Sequence, residues 1–321
     1  MTALAGAIRR EAHAKINVFL RVLGRRDDGY HELESLVLPI SLADHLTVRP
    51  ADRLTVSVKG AEQLSGAVPA GGLNLALVAA LALGDACEGG GAAIEIDKRI
   101  PVAAGLGGGS ADAAAALSAL NELWGCDLAP DTLIEIGARI GSDVPALLAG
   151  EPVLMHGRGE LLAPATVAPT SWVVVPFAFG VRSPDAYRWW DEGGIPSGPD
   201  PEPLLAAAAS GDAATLGALL FDDLEAPVSG RHPEIAEAKQ ALLGAGALGA
   251  VMSGSGSSVA GLAADAAHAA RNSAPGTSDP DSTLVRSAVT RCSTRCHGLR
   301  CTKKTSIARR RPTGDSGGLR K

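Results

Sequence analysis

Aromatic side chains are scarce. Four Phe, four Trp and two Tyr make up 3% of the 321 residues, so any core must be built from Ala, Val, Leu and Ile. Long apolar runs are missing as well. The longest, around residues 75–83, is far short of the roughly 18 residues that span a bilayer, and reads as a buried helix. The first ten residues hold no apolar signal core with a cleavage site, so the expected location is the cytosol. Cysteine is rare and odd in number, five in all, which speaks against a disulfide framework. Cys87 and Cys126 read as isolated small residues in or near the core. Lysine is outnumbered by arginine, 7 to 22, a bias better assigned to base composition than to function. The net charge of −6 excludes whole-chain attraction to nucleic acid.

What charge there is lies unevenly. Residues 265–321 carry 12 basic and 4 acidic residues, which leaves 17 basic and 31 acidic in the rest. That stretch is rich in Ser, Thr, Arg and Pro and poor in apolar periodicity, so a largely disordered basic tail is expected. The body mixes strand-like segments (13–23, 33–42, 54–58, 92–96, 172–179) with helix-like ones (74–86, 110–123, 131–140, 204–220, 233–243). A hairpin is expected over 151–162, turning at Gly157-Arg158-Gly159. Without strict strand–helix alternation the fold class is α+β. A domain boundary falls near 160–170.

Five constellations carry chemistry. The richest is PVAAGLGGGSAD: Pro101, Val102, Ala103, Ala104, Gly105, Leu106, Gly107, Gly108, Gly109, Ser110 and Ala111, closed by Asp112. Its glycines let backbone N–H groups come close to an anion and adopt positive φ. The helix that follows adds free N–H groups and the positive end of its dipole. Polyphosphate is the natural guest. No Gly-Lys-Ser/Thr closes the string and G-x-G-x-x-G is not matched from Gly105, so neither the common P-loop nor the dinucleotide fingerprint applies. A plain flexible turn is the bland reading, and four glycines feeding a strong helix weigh against it.

Lys15, between Ala14 and Ile16 in an apolar strand, reads either as a snorkelling surface lysine or as a cation that polarises a hydroxyl or a transferring phosphate. Asn17 shares its strand face. Asp143, in Gly141-Ser142-Asp143-Val144-Pro145, reads either as the cap of a short helix, which Pro145 suits, or as a general base. Asp28-Gly29-Tyr30-His31 is a turn that offers a stacking face and a hydrogen-bonding ring, or simply an exposed turn. Residues 252–258 (MSGSGSS) form a Gly/Ser turn between apolar flanks, a weak signal alone. In the tail, Cys292, Cys296, Cys301 and His297 are too loosely spaced for a zinc site, and Arg309-Arg310-Arg311 reads as solvated charge.

In this order, these strings resemble the GHMP kinase superfamily, and the Pro-x3-Gly-Leu-Gly-Gly-Gly-Ser loop is similar to that family's ATP motif. A-K-I-N ending at Asn17, G-Y-H ending at His31, I-D-K-R-I-P ending at Pro101 and G-S-D-V-P ending at Pro145 narrow the resemblance to the branch whose acceptor carries a cytidine diphosphate. The resemblance covers about residues 8 to 263. It implies a two-domain fold with the active site in the cleft between domains, divided as 1–163, 164–264 and the tail 265–321. It implies ATP and Mg²⁺ as cofactors, and transfer of the γ-phosphoryl group to the 2-hydroxyl of a cytidine-diphosphate-linked methylerythritol on the non-mevalonate route to isoprenoid precursors.

By position, Asp143 would be the base and Lys15 would hold the hydroxyl in register. His31 would bond the cytosine edge, with Tyr30 and Tyr187 on its two faces and Pro184 beside them. Asn17 and Lys98 would contact substrate or nucleotide, and Gly254 and Gly256 belong to the third family motif. Ser110 is the candidate magnesium ligand; no full metal set is implied. A monomer or weak homodimer, with no nucleic-acid or membrane partner, is expected. Two other readings stay open: a GHMP kinase for a homoserine-like or mevalonate-like acceptor, and a nucleotide-binding relative without turnover. The sequence departs from the family in its third motif, SGSGSS, where relatives carry proline or alanine after the second glycine. It departs again in the tail: with the usual ending replaced, the second sheet would lack an edge strand and expose an open edge.

Overall fold

The computed structural model describes residues 6–60, 74–177, 179–272 and 285–290. Two long strands form its spine. β1 (Ile8–Arg25) and β2 (His31–Pro50) are joined by the expected Asp28-Gly29 turn and pair antiparallel from Ile8↔Val48 to Arg25↔His31. Every residue of β1 from Ala14 to Leu20 is buried, so both faces of the strand are covered at that point, and Lys15 and Asn17 are carried inside. β2 is long enough to serve two partners. Its first half pairs with β5 (Val153–Gly157), which turns through Arg158-Gly159 into β6 (Leu161–Pro164). Its second half pairs with β4 (Ala92–Lys98), which runs parallel to β3 (Thr55–Gly60). The short β8 (Phe221–Asp222) closes the order β3-β4-β2-β1-β8 by lying parallel to β1.

Among the described residues, four helices belong to this half: α1 (Leu75–Cys87), α2 (Gly108–Leu123), α3 (Pro130–Ile140) and α4 (Val144–Ala149). The Asn74 side chain caps α1 by accepting from the Ala76 N–H at 3.0 Å. In α2 the buried face is mostly alanine (Ala111, Ala113, Ala114, Ala115, Ala116, Ala119), and small side chains let a helix lie close to its neighbours. The second half is a four-stranded antiparallel sheet, β11-β7-β10-β9, made of β7 (Thr170–Val175), β9 (Gly249–Met252), β10 (Val259–Ala263) and β11 (Val285–Thr290). Its helices are α5 (Ser183–Gly193), α6 (Glu202–Ser210), α7 (Ala213–Leu219), α8 (Glu225–Ser229), α9 (Pro233–Gly244) and α10 (Ala266–Asn272).

Three expectations are corrected. The single helix expected over 204–220 is two helices. Gly211 ends α6 at φ +78°, and Asp212 caps α7 by accepting from the Thr215 N–H, a left-handed stop followed at once by a strong N-cap. Cys87 and Cys126 are not isolated but bonded to each other across 39 residues of sequence. Cys87 ends α1 and Cys126 follows α2, and the packing of those helices brings their ends together. The second sheet is not open where the tail begins. Val285–Thr290 pairs antiparallel along β7, with Ala288 opposite Trp172 and Thr290 opposite Thr170. Cys292, Cys296, Cys301, His297 and the triple arginine lie outside the described residues.

The two halves share their cores. Trp172, Leu204, Leu216 and Leu262 belong to the cluster that contains Ile16 and Leu117. Leu20 and Val22 belong to the one that contains Val173, Leu224 and Met252. Strand β1 therefore contributes to both clusters. Among the described residues, no helix is long and apolar enough to cross a membrane.

Candidate active site

A cavity of about 480 Å³ opens between the glycine string and the second half of the chain. Every residue from Pro101 to Ser110 lines it, as do Lys15, Lys98 and Asp143. Ala111 is the exception in its string; its side chain is turned into the core. The loop owes its shape to glycine at two points above all. Gly105 sits at φ +74°, and a Cβ there would lie 2.3 Å from the Ser253 carbonyl oxygen. Gly107, at φ +70°, is the N-cap of α2 and has no side chain to satisfy the first N–H groups of that helix, which leaves them for an anion.

The loop is held from three sides. The Leu106 carbonyl accepts from the Lys15 N–H at 3.0 Å, the Ala104 carbonyl from the Ser258 N–H at 2.9 Å, and the Gly105 carbonyl from the Ser253 hydroxyl at 3.2 Å.

Lys15 is turned inward and does not snorkel to the surface. Its ammonium is buried, donates to Asn17 Oδ1 at 2.6 Å and lies 3.5 Å from Asp143 Oδ2. Asn17 is fixed in turn: its Nδ2 donates to Ser35 Oγ at 2.8 Å, that hydroxyl donates to the Phe19 carbonyl, and the Asn17 N–H donates to Ser253 Oγ. Asn17 does not line the cavity; it aims Lys15. Gly254 acts similarly. At φ +60°, its missing side chain leaves room for Asn17 Oδ1 and Lys15 Nζ, 2.9 and 3.2 Å from where a Cβ would be. Asp143 occupies the N-cap position of α4, with Pro145 just inside the helix as expected, yet its side chain makes no capping bond. Its carboxylate faces the ammonium and the cavity instead.

Lys98 ends strand β4. It lines the cavity, but its ammonium donates to Asp44 Oδ2 and, at 2.9 Å, to Asp112 Oδ2. Burial alone would lower its pKa; the two carboxylates outweigh burial and hold it above the ordinary lysine value. Asp112, nearly fully buried with Oδ1 unpartnered, is pushed up to about 7 by burial and by Asp44, against the pull of Lys98.

The expected base-reading group lies beyond the cavity lining. His31 stacks on Tyr187 with ring centroids 4.8 Å apart, and its Nε2 meets Asp191 Oδ1 at 2.8 Å. Tyr30 is half exposed, with the Arg158 guanidinium 4.9 Å above its ring. The structure thus joins His31 to Tyr187 directly, while Tyr30 faces Arg158. Burial, then Asp222 and Asp143, raise the Tyr187 hydroxyl above its usual range. Pro184 is exposed at the start of α5. Gly256 lines the cavity at φ +89°.

Sequence reasoning missed Asn74, Leu75, Asp112, Val181, Ser183 and Ser255, all of which line the cavity. The Ser183 and Ser255 hydroxyls lie 2.9 Å apart across its mouth. Ser255 stands inside the MSGSGSS string and Asp112 closes the glycine string, so both had a signal; the others had none.

Comparison with known proteins decides the family. The description "GHMP kinases N terminal domain" matches residues 74–151, and "GHMP kinases C terminal" matches residues 204–275. A 4-diphosphocytidyl-2-C-methyl-D-erythritol kinase from Symbiobacterium thermophilum is 46% identical over 259 residues, covering 79% of this chain and 90% of that one. The chain belongs to the GHMP kinase family. A second GHMP relative with the same name, from Pelotomaculum thermopropionicum, is 46% identical over 79% of this chain and 88% of its own. A crystal structure of 4-(cytidine 5'-diphospho)-2C-methyl-D-erythritol kinase superposes with a TM-score of 0.71 at 38% identity, covering 83% of this chain and 94% of that one. A homoserine kinase from Cytophaga hutchinsonii shares the GHMP fold at 20% identity, with a TM-score of 0.63.

Proposed function

We propose that this GHMP kinase transfers the γ-phosphoryl group of ATP to the 2-hydroxyl of 4-(cytidine 5'-diphospho)-2-C-methyl-D-erythritol. The observation that carries the reading is the Lys15–Asp143 pair at 3.5 Å, in one cavity with the whole glycine loop, in a chain 46% identical to relatives named for that reaction. The loop and the open N-terminus of α2 take the polyphosphate. The acceptor oxygen attacks the γ-phosphorus, its O–P bond forms as the bond to the β,γ-bridging oxygen breaks, and ADP leaves. Asp143 accepts the hydroxyl proton. Lys15, aimed by Asn17, stabilises charge on the oxygens in transit. Positioning and electrostatics of this kind suffice for phosphoryl transfer.

Among the described residues, no cluster of three His, Cys, Asp or Glu side chains is arranged for a metal. Mg²⁺ asks for less, because it keeps waters and phosphate oxygens and takes one or two protein ligands. The Ser110 hydroxyl, which lines the cavity, fits that demand. When bound, the ion would neutralise polyphosphate charge. His31, Tyr187 and Tyr30 are assigned to the cytosine of the acceptor, with Pro184 beside them. This requires the His31 ring to share the Tyr187 face with the base or to yield it. The catalytic division of the chain, 1–163 and 164–264, follows the same reading.

A coupled assay of ADP release tests it. Purified protein is given ATP, Mg²⁺ and, separately, the cytidyl compound, mevalonate and homoserine. Turnover is expected with the cytidyl compound alone. ADP release with mevalonate or homoserine in its place would overturn the assignment.

A further inference from the structure

A glycine-rich loop has a problem that its own residues do not solve. Its freedom lets backbone N–H groups converge on an anion, but the same freedom must be removed before they can do so repeatedly. Beside the loop lies a group of three buried charged residues drawn from separate elements. Asp44 comes from β2, Lys98 from the end of β4 and Asp112 from the first turns of α2, with side-chain exposures of 0, 3 and 5%. They are joined in a chain. Asp44 Oδ1 accepts the backbone N–H groups of Arg99 and Ile100, at 2.6 and 2.8 Å, where β4 gives way to the loop. Asp44 Oδ2 accepts from Lys98, and Lys98 donates onward to Asp112 Oδ2.

The two ends of the loop, Ile100 before it and Asp112 after it, are therefore tied to one buried carboxylate. The tie leaves its mark on the loop itself. A Cβ at Gly108 would lie 3.3 Å from Lys98 Nζ and 3.0 Å from Ile100 Cγ2, so the loop passes directly over the bridge.

We propose that Asp44, Lys98 and Asp112 are positioning residues for the nucleotide: a staple that fixes the span of the glycine loop before ATP arrives. The proposal rests on the kinase reading for the identity of the ligand, and on geometry alone for the staple. Lys98 then acts through the loop and not by touching substrate. Asp112 is the member whose loss should be mildest for the fold, because it alone keeps an oxygen without a partner.

Two measurements test this. In steady-state kinetics, Asp112→Ala should raise the KM for ATP by about tenfold or more while kcat stays within about threefold. Asp112→Asn, which still offers Lys98 an oxygen, should restore the KM to near the wild-type value. An unchanged KM for ATP in Asp112→Ala would overturn the proposal. So would a loss confined to kcat or to the KM of the acceptor.

The second measurement uses only the wild-type chain and stands even if a variant fails to fold. Hydrogen–deuterium exchange is followed without nucleotide and with ADP. The amides of Arg99 and Ile100 should be protected in both states, while those of the loop glycines gain protection only with ADP. Arg99 and Ile100 amides that exchange freely until ADP binds would show that no staple is preformed, and would overturn the proposal. A wild-type chain that binds no ADP would count against the kinase reading, and the nucleotide-free exchange would still decide the staple.

Discussion

Asp143 has the place of a helix cap and does not serve as one. Its side chain leaves the N–H groups of α4 alone and turns to Lys15, 3.5 Å away. Removing the carboxylate should therefore spare the fold and abolish the proton acceptor. Asp143→Ala is expected to lower kcat by about 10²- to 10⁴-fold, the range a positioned general base supplies. Nucleotide affinity, set by the loop, should change by no more than about threefold. Binding of ADP by calorimetry beside single-turnover rates would separate the two, and a variant that retains most of its rate would remove Asp143 from the mechanism.

A second carboxylate makes a prediction about stability. Asp222 is buried, with Oδ1 accepting from the Leu224 N–H and Oδ2 unpartnered. Burial first, then Glu225 and Asp223, push its pKa well above the usual range. The unfolded chain thus loses this proton at lower pH than the folded chain does. Stability on this account is full below about pH 4, the unfolded value, and is lost as pH rises through the folded value. Asp222→Asn cancels that slope. Its melting temperature should match the wild type at the acid end and exceed it at pH 8, by roughly 2–4 °C for each kcal/mol recovered. Parallel melting curves across the whole range would contradict this account.

The glycine loop shows what one element demands of its neighbours. Gly105 has positive φ and lies against the Ser253 and Gly256 carbonyl oxygens, 2.3 and 2.8 Å from where a Cβ would be. Those oxygens are backbone and cannot swing aside. Gly105→Ala must therefore push the loop off the Gly/Ser turn. The expected result is a KM for ATP raised by at least about tenfold and a lower melting temperature, whereas Gly150→Ala, with positive φ but open space around it, should show only the second.

The loop, its helix and the strand of Lys15 were all legible in the sequence, because each is a run of neighbouring residues with one period or one composition. What the loop rests on was not. Asp44 lies 54 residues from Lys98, and only the pairing of β2 with β4 makes them partners. Cys87 and Cys126 were misread for the same reason, since contact between helix ends has no signature in spacing. At Asp143 the direction of the side chain, away from the N–H groups of α4 and toward Lys15, is a fact that no local string contains.

At the scale of the molecule, the sharpest difference between sequence and structure is at the far edge of the second sheet. Composition alone marks residues from 265 on as foreign to the body, and an unpaired edge follows from that reading. Yet α10 packs Ala269 into the second core, and β11 lies along β7 from Val285↔Val174 to Thr290↔Thr170. Strand pairing needs backbone hydrogen-bonding groups more than a particular composition, which is why a Ser-, Thr- and Arg-rich stretch can supply an edge that looked absent. β7 carries Trp172 and Val174 into the core shared with Ile16 and Leu117, so this edge supports the strand that links the two halves.

A chain ending at Ala263 would lose both elements and leave β7 as an open edge, the geometry that invites pairing between copies. Its melting temperature should fall by on the order of 10 °C, and light scattering should show association that rises with protein concentration. Equal melting temperatures for the shortened and full chains, with no association, would show that the edge strand contributes nothing to stability and that the sheet tolerates an open β7.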